Sequence, residues 1–279
     1  MLNTKQIAVI GSVVALMAVL YSMDIKGLVK KEGREVENNA SSSSQTVTVE
    51  QISAGAKQQL NANLAQQVND LEAQLRESGH GDESLQIQKQ LAQKWDDVNQ
   101  PAPAAFYYEA IATKKSTLEN WLIAGDRFTT AYQTIQDSTI QPALVQKAIG
   151  AYQKAADIDS KNLDAKTGLG VAYVSGTPNP MQGIQLLLEV VKQDPKNVKA
   201  NMNLGLFSMK SGQFDKAVNR FKTVTEQQQD PEAWFYLASS YENLGQKAEA
   251  ITAYSKCKEL AADPQLSQFV DNKISELKK

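Results

Sequence analysis

Residues 201–221 read NMNLGLFSMKSGQFDKAVNRF, and residues 234–254 read WFYLASSYENLGQKAEAITAY. Laid one on the other, Asn201-Met-Asn-Leu-Gly205 falls on Trp234-Phe-Tyr-Leu-Ala238, Gly212 on Gly245, Ala217 on Ala250 and Phe221 on Tyr254, each pair 33 positions apart. An earlier copy begins at Lys166-Thr-Gly-Leu-Gly170 with Tyr173. Its second half, Gly183, Leu187, Val190 and Pro195, lies 34 positions before Ala217, Phe221, Val224 and Gln229. From Gly170 to Gly205 the offset is 35, because the turn from Ser175 to Pro180 holds one extra residue. A near-constant period of this length, carried by helix-spaced apolar residues, predicts helical pairs stacked in series. The small residues Gly170, Gly205, Ala217 and Ala238 let two helices approach closely. Tyr241, Phe221 and Tyr254 then fill the space between one pair and the next. A single pair would leave an apolar face wet, so stacking supplies the core.

These residues resemble the tetratricopeptide repeat, whose pattern is Trp-x2-Leu-Gly-x2-Tyr, then Ala-x3-Phe, then Pro. The fullest copy is Trp234, Leu237, Ala238, Tyr241, Gly245, Ala250 and Tyr254, with Pro264 slightly late. The others are Leu204, Gly205, Gly212, Phe214, Ala217 and Phe221, and Leu169, Gly170, Tyr173, Gly183, Leu187 and Pro195. A degenerate pair has Trp121, Ala124, Gly125 and Phe128, then, after an insertion around Asp137 to Pro142, Ala148, Tyr152 and Ala155. The resemblance implies an all-α superhelix of helical hairpins. Three repeats are expected over 161–262, the degenerate pair over 116–160, and a capping helix over 263–279 carrying Leu266, Phe269, Val270, Ile274 and Leu277. A further helical region is expected over 50–115. There Leu60, Leu64, Val68, Leu71 and Leu75 line one face of a helix that Gly79 and Gly81 stop.

The N-terminal part reads differently. After a short tail, 1–6, the run Ile7 to Met23 has 17 residues and no charge. As a helix it would be about 25 Å long, at the short end of a bilayer span. No Ala-x-Ala cleavage site follows it, and an uncleaved single-pass anchor is expected over 7–23. A polar, Ser-rich stretch then predicts a flexible tether over 24–49, in which Gln45 to Val49 alternates as a short extended piece does. Lys26, Lys30, Lys31 and Arg34 follow the anchor and only Lys5 precedes it, which by the positive-inside rule puts the large domain in the cytoplasm. The layout of short tail, anchor, tether and repeats resembles membrane-anchored repeat proteins of bacteria. There the repeats face the periplasm, and that resemblance favours a periplasmic domain on the inner membrane.

The formal net charge is -2 with 22% charged residues, so no bulk basic field is available to hold nucleic acid. One cysteine, Cys257, and one histidine, His80, are too few for a Cys/His zinc site within one chain. His80 stands in the turn sequence Ser78-Gly-His-Gly-Asp82, a poor place to hold a base, and reads as a solvent-facing loop residue. Cys257 falls on a helix beside Tyr254 and Leu260 and reads as a small core residue. Gly168-Leu-Gly170 lies inside a repeat helix, with no phosphate-loop Lys-Ser/Thr after it. Asp96-Asp97 near a helix end reads as a solvated pair. No catalytic, metal-binding or cofactor-binding constellation is expected, and the reading is non-enzymatic.

The resemblance implies that the first helices of successive pairs line a concave groove. The matching positions are Thr167, Val171 and Val174; Met202, Leu206 and Met209; Phe235, Ser239 and Glu242. Aliphatics and methionines stand there in place of the Lys, Asn and Arg that clamp a C-terminal carboxylate, so the expected client is an apolar or amphipathic protein segment. Two other readings stay open: burial of these residues against neighbouring helices or the chain's own helix at Leu60 to Leu75, and self-association through the same surfaces.

Overall fold

The computed structural model describes residues 47–279 apart from His80. The tail, the anchor, the tether up to residue 46 and the loop reading of His80 therefore lie outside the described residues. Gln45 to Lys279 form one compact unit. Among the described residues there are thirteen α-helices and no strand. They are α1 (Val49–Lys57), α2 (Ala62–Glu77), α3 (Asp82–Asp97), α4 (Pro101–Lys114), α5 (Leu118–Thr134), α6 (Gln141–Ile158) and α7 (Leu163–Gly176), followed by α8 (Pro180–Gln193), α9 (Val198–Lys210), α10 (Phe214–Gln227), α11 (Pro231–Asn243), α12 (Lys247–Leu260) and α13 (Pro264–Leu277). None of these described helices is long and apolar enough to cross a membrane.

The starts of the helices repeat as their interiors do. Asn162, Asn197 and Asp230 precede the first helices of three pairs and Asp263 the capping helix, and each side chain accepts a backbone N–H, from Ala165, Ala200, Glu232 and Gln265. Such caps satisfy N–H groups that the helix itself leaves without partners. Pro231 and Pro264 follow two of these caps at the first helical position, where a missing N–H costs nothing. Pro264, which reads as slightly late, is thus in register with Pro231, opening α13 as Pro231 opens α11. Thr48, in the stretch expected to be extended, instead caps α1 through a reciprocal pair of bonds with Gln51.

The turn inside each of the last two pairs is built on a glycine. Gly212 and Gly245 have φ of +73° and +72°, the left-handed region that side chains with a Cβ avoid. Gln213 N donates to Ser208 O at 2.8 Å and Gly212 N to Met209 O at 3.0 Å. Gln246 and Gly245 repeat this on Tyr241 and Glu242, both at 3.0 Å. These bonds satisfy the last carbonyls of α9 and α11 and reverse the chain into α10 and α12.

Five consecutive pairs result, α3–α4, α5–α6, α7–α8, α9–α10 and α11–α12, each packing on the next. The first helices α5, α7, α9 and α11 also touch in succession, which gathers them on one face and the second helices on the other. Between pairs, Tyr152, Leu187, Phe221 and Tyr254 are wholly buried. Gly205 makes room for one of them: a Cβ there would lie 2.6 Å from the Phe221 ring. Burying a side chain of that size stabilises by about 1.5–3 kcal/mol.

The ends are closed by helices from outside the repeats. Val68 on α2 packs against Leu85, Leu91 and Trp95, with Leu71 and Leu75 beside it. The helix bearing Leu64, Val68, Leu71 and Leu75 therefore covers the N-terminal hairpin and not the surface around residues 167–242; Leu60, expected on the same face, stands in the turn before its Asn61 cap. At the other end Val270 on α13 is buried with Ala253, Tyr254 and Cys257, and Leu266, Ile274 and Leu277 flank it.

Candidate partner-binding face

The nine first-helix positions singled out by register divide in two. Thr167 and Val171 are 1% and 3% exposed and lie inside the stack. Thr167 Oγ1 donates to Leu163 O at 2.7 Å, and Val171 packs among Leu187, Val190 and Leu204. Both face a neighbouring helix where the sequence register points them at a partner. The helices packed round α7, chiefly α8 and α6 with α5 and α9 beside them, close over these two positions.

Val174, Met202, Leu206, Met209, Phe235, Ser239 and Glu242 are half-buried. Met202, Leu206 and Met209 on α9 rest against the core that holds Leu237, Tyr241 and Tyr254, and still reach solvent. Phe235 on α11 sits with its ring centroid 5.8 Å from Tyr254 and 5.9 Å from Phe269 of α13. The capping helix thus bounds the apolar strip at one end. Glu242 is already engaged: it accepts Tyr254 Oη at 2.7 Å and Lys273 Nζ at 3.0 Å. Burial first, and then the Glu242 carboxylate, push the Tyr254 phenol above its ordinary value.

A second polar trio bounds the strip at its other end, and the sequence register does not announce it. Asp126 on α5 accepts Tyr152 Oη at 2.7 Å and Lys199 Nζ at 2.9 Å. Lys199 belongs to α9, so this ion pair bridges across α7. Its two side chains are both about half exposed, which leaves it worth at most about 1 kcal/mol. Only the alignment of Tyr152 with Tyr254 hinted at a shared arrangement.

Elsewhere Asp96, read as half of a solvated pair, instead receives Arg127 Nε at 2.8 Å and Tyr108 Oη at 2.9 Å, an ion pair that ties α3 to α5. Asp97 is exposed. Cys257 is fully buried. Among the described residues no group of three or more His, Cys, Asp and Glu side chains could hold a metal ion.

Residues 180–239 match the tetratricopeptide repeat family, and residues 231–264 match a second description of the same repeat. No curated protein sequence matches the chain. Among solved structures, the type IV pilus biogenesis factor PilW is similar to it, with 20% identity and a TM-score of 0.54 over 69% of this chain and 85% of that one. A tetratricopeptide repeat protein from Parabacteroides merdae is similar over 82% and 86%, with 15% identity and a TM-score of 0.55. Residues 180–264 thus carry tetratricopeptide repeats, and a scaffold for protein–protein contacts is the role such repeats support.

Proposed function

We propose that this chain is a non-enzymatic scaffold, held to the bacterial inner membrane by residues 7–23, that uses its first-helix face to hold an apolar or amphipathic segment of a client protein during envelope assembly. The observation that carries the reading is the strip of Met202, Leu206, Met209 and Phe235. These side chains are apolar, aligned on successive first helices, and open to solvent on a face where their counterparts Thr167 and Val171 are closed over. Methionine side chains adapt their shape to varied partners, which suits a groove that grips by contact area. The periplasm is the side we favour for the repeats.

Crosslinking in cells tests the groove. A photoreactive residue at Leu206 should give one adduct of defined mass, while the same residue at Lys192 on the opposite face should not. Leu206→Ser should lose the adduct formed from a photoreactive Met202 and keep the helical signal. Equal adducts from both faces would refute the assignment, and an adduct of twice the chain mass would make the strip a contact between copies. For sidedness Cys257 is too deeply buried to label. A membrane-impermeant maleimide should instead react in intact spheroplasts with Ser275→Cys, on the exposed side of α13. Reaction only after lysis would put the repeats in the cytoplasm.

A further inference from the structure

The second-helix face carries a groove that the repeat register does not require. It has a volume of about 470 Å³, runs between α8 and α10, and is floored by α9. Met181 and Leu188 stand on its α8 wall, 56% and 44% exposed, among the few large apolar side chains so uncovered. Seven residues separate them, so they project about 10 Å apart along one wall. Phe207 adds an apolar surface to the floor. The only charged side chains that line it are Lys216 and Arg220 on α10.

Arg220 is the unusual one. It is partly buried, and its single protein hydrogen bond goes from Nη1 to Asn201 Oδ1 at 3.0 Å. Among the described residues no carboxylate pairs with it. A guanidinium carries five N–H donors, and leaving most of them half out of water without an anion is costly. Burial lowers its pKa, yet an arginine stays charged. Lys216 finds only the neutral Gln213 Oε1, at 2.6 Å.

The next groove along, between α10 and α12, is of similar size, about 580 Å³, and serves as an internal control. There Lys222 stands where Leu188 does, 34 positions on. Glu249 and Ala253 stand where Lys216 and Arg220 do, 33 positions on. Its charges are mixed, with Glu226 and Glu249 beside Lys222, and Lys222 lies 5.6 Å over the Tyr241 ring. The same frame thus carries cations and uncovered aliphatics in one groove and a mixed set, two carboxylates to one lysine, in the other.

We propose that the α8–α10 groove is a docking site for a short helix of another protein that presents a carboxylate midway between two apolar side chains. The apolar pair, two turns apart on that helix, meets Met181 and Leu188, and the carboxylate meets Arg220 and Lys216. The site goes beyond the first-helix strip: it lies on the opposite face and shares no residue with it.

The test uses the full-length chain in a non-ionic detergent. The probe is a fluorescein-labelled, acetylated and amidated helical peptide with two leucines two turns apart and a glutamate midway on the same face. Its twin carries glutamine in place of the glutamate. The glutamate peptide should bind saturably, and about tenfold more tightly than its twin, the worth of one charge-assisted contact. Three variants borrow residues the fold already accepts in the neighbouring groove. Lys216→Glu and Arg220→Ala should erase the preference for glutamate, and Leu188→Lys should weaken both peptides. Lys216 is exposed, so its result does not depend on tolerance of a core change. Leu206→Ser, on the other face, should leave peptide binding unchanged, which separates failure here from failure of the client groove. Absence of saturable binding, equal affinity for the twins, or a preference that survives Lys216→Glu and Arg220→Ala overturns the proposal. So does a wild-type dimer in sedimentation that Leu188→Lys returns to monomer, since the occupant would then be a second copy.

Discussion

At the scale of single residues, the tightest constraint is a ring held between two helices of different pairs. Tyr152 is 1% exposed, and a Cβ added at Gly168 would come 2.2 Å from its ring. The ring is fully buried, so the added methyl forces either the ring or its surroundings to shift. Helix propensity alone favours alanine over glycine by about 1 kcal/mol. Here overpacking, at about 1–3 kcal/mol, runs against it and wins. Gly150 supplies the contrast, since its Cβ would meet nothing within 4 Å on the exposed side of α6. Gly168→Ala is therefore expected to lower the urea midpoint and Gly150→Ala to raise it slightly. A rise of equal size in both variants would mean that Tyr152 can move aside. The Gly168-Leu-Gly170 run is legible in the sequence as a packing site. Which glycine faces the previous pair is not, because that depends on how α7 rests on α6.

At the scale of one element, α13 closes the stack and makes a latch that chemistry can read. Its Val270 is buried with Cys257 of α12, and Lys258 and Lys273 tie it down through Asp271 and Glu242 at 2.6 and 3.0 Å. Burial holds the Cys257 thiol above its usual range, so the native side chain is both hidden and protonated. Modification by a thiol reagent should be slow and limited by opening of α13. Val270→Asp should speed it at least tenfold with little loss of helix. Fast labelling of the unaltered chain would show that α13 does not cover the thiol. The apolar stripe of this helix is readable from Leu266, Val270, Ile274 and Leu277 alone. Its hold on Glu242 is not, since that bond joins α13 to α11 across space that no periodicity encodes. The same limit explains the candidate site. Register located Met202, Leu206 and Phe235 on a first-helix face, whereas the burial of Thr167 and Val171 depends on how closely the surrounding helices pack on α7, which no periodicity encodes. The groove at Arg220 was visible only as a departure from the repeat, cations and leucine where the next copy has Glu249, Ala253 and Lys222.

Over the whole molecule, phenols distributed from α4 to α12 make stability depend on alkaline pH. Burial is the first cause in every case. It raises Tyr108, Tyr132 and Tyr236 to about 12, and Tyr107, Tyr152 and Tyr254 higher still, the last two helped by Asp126 and Glu242. In the unfolded chain these groups titrate at their ordinary 10.0. Below that pH both states hold the proton and the contribution to stability is complete. Above it the unfolded chain releases protons that the folded chain keeps, so unfolding gains with every step of rising pH until the folded values are passed. Each pair in the stack is supported by its neighbours, so loosening at Tyr152 in α6 weakens the pairs on both sides. The urea midpoint should begin to drop at pH 10 and fall steeply between pH 10 and 12. Tyrosinate absorbance isolates the phenols. The native chain should show a late-titrating class of tyrosines that merges with the ordinary class in urea, and Tyr152→Phe should remove one member and flatten the fall. A native chain whose tyrosines all ionise together near pH 10 would mean that these rings are wet, and the stack as described would not hold.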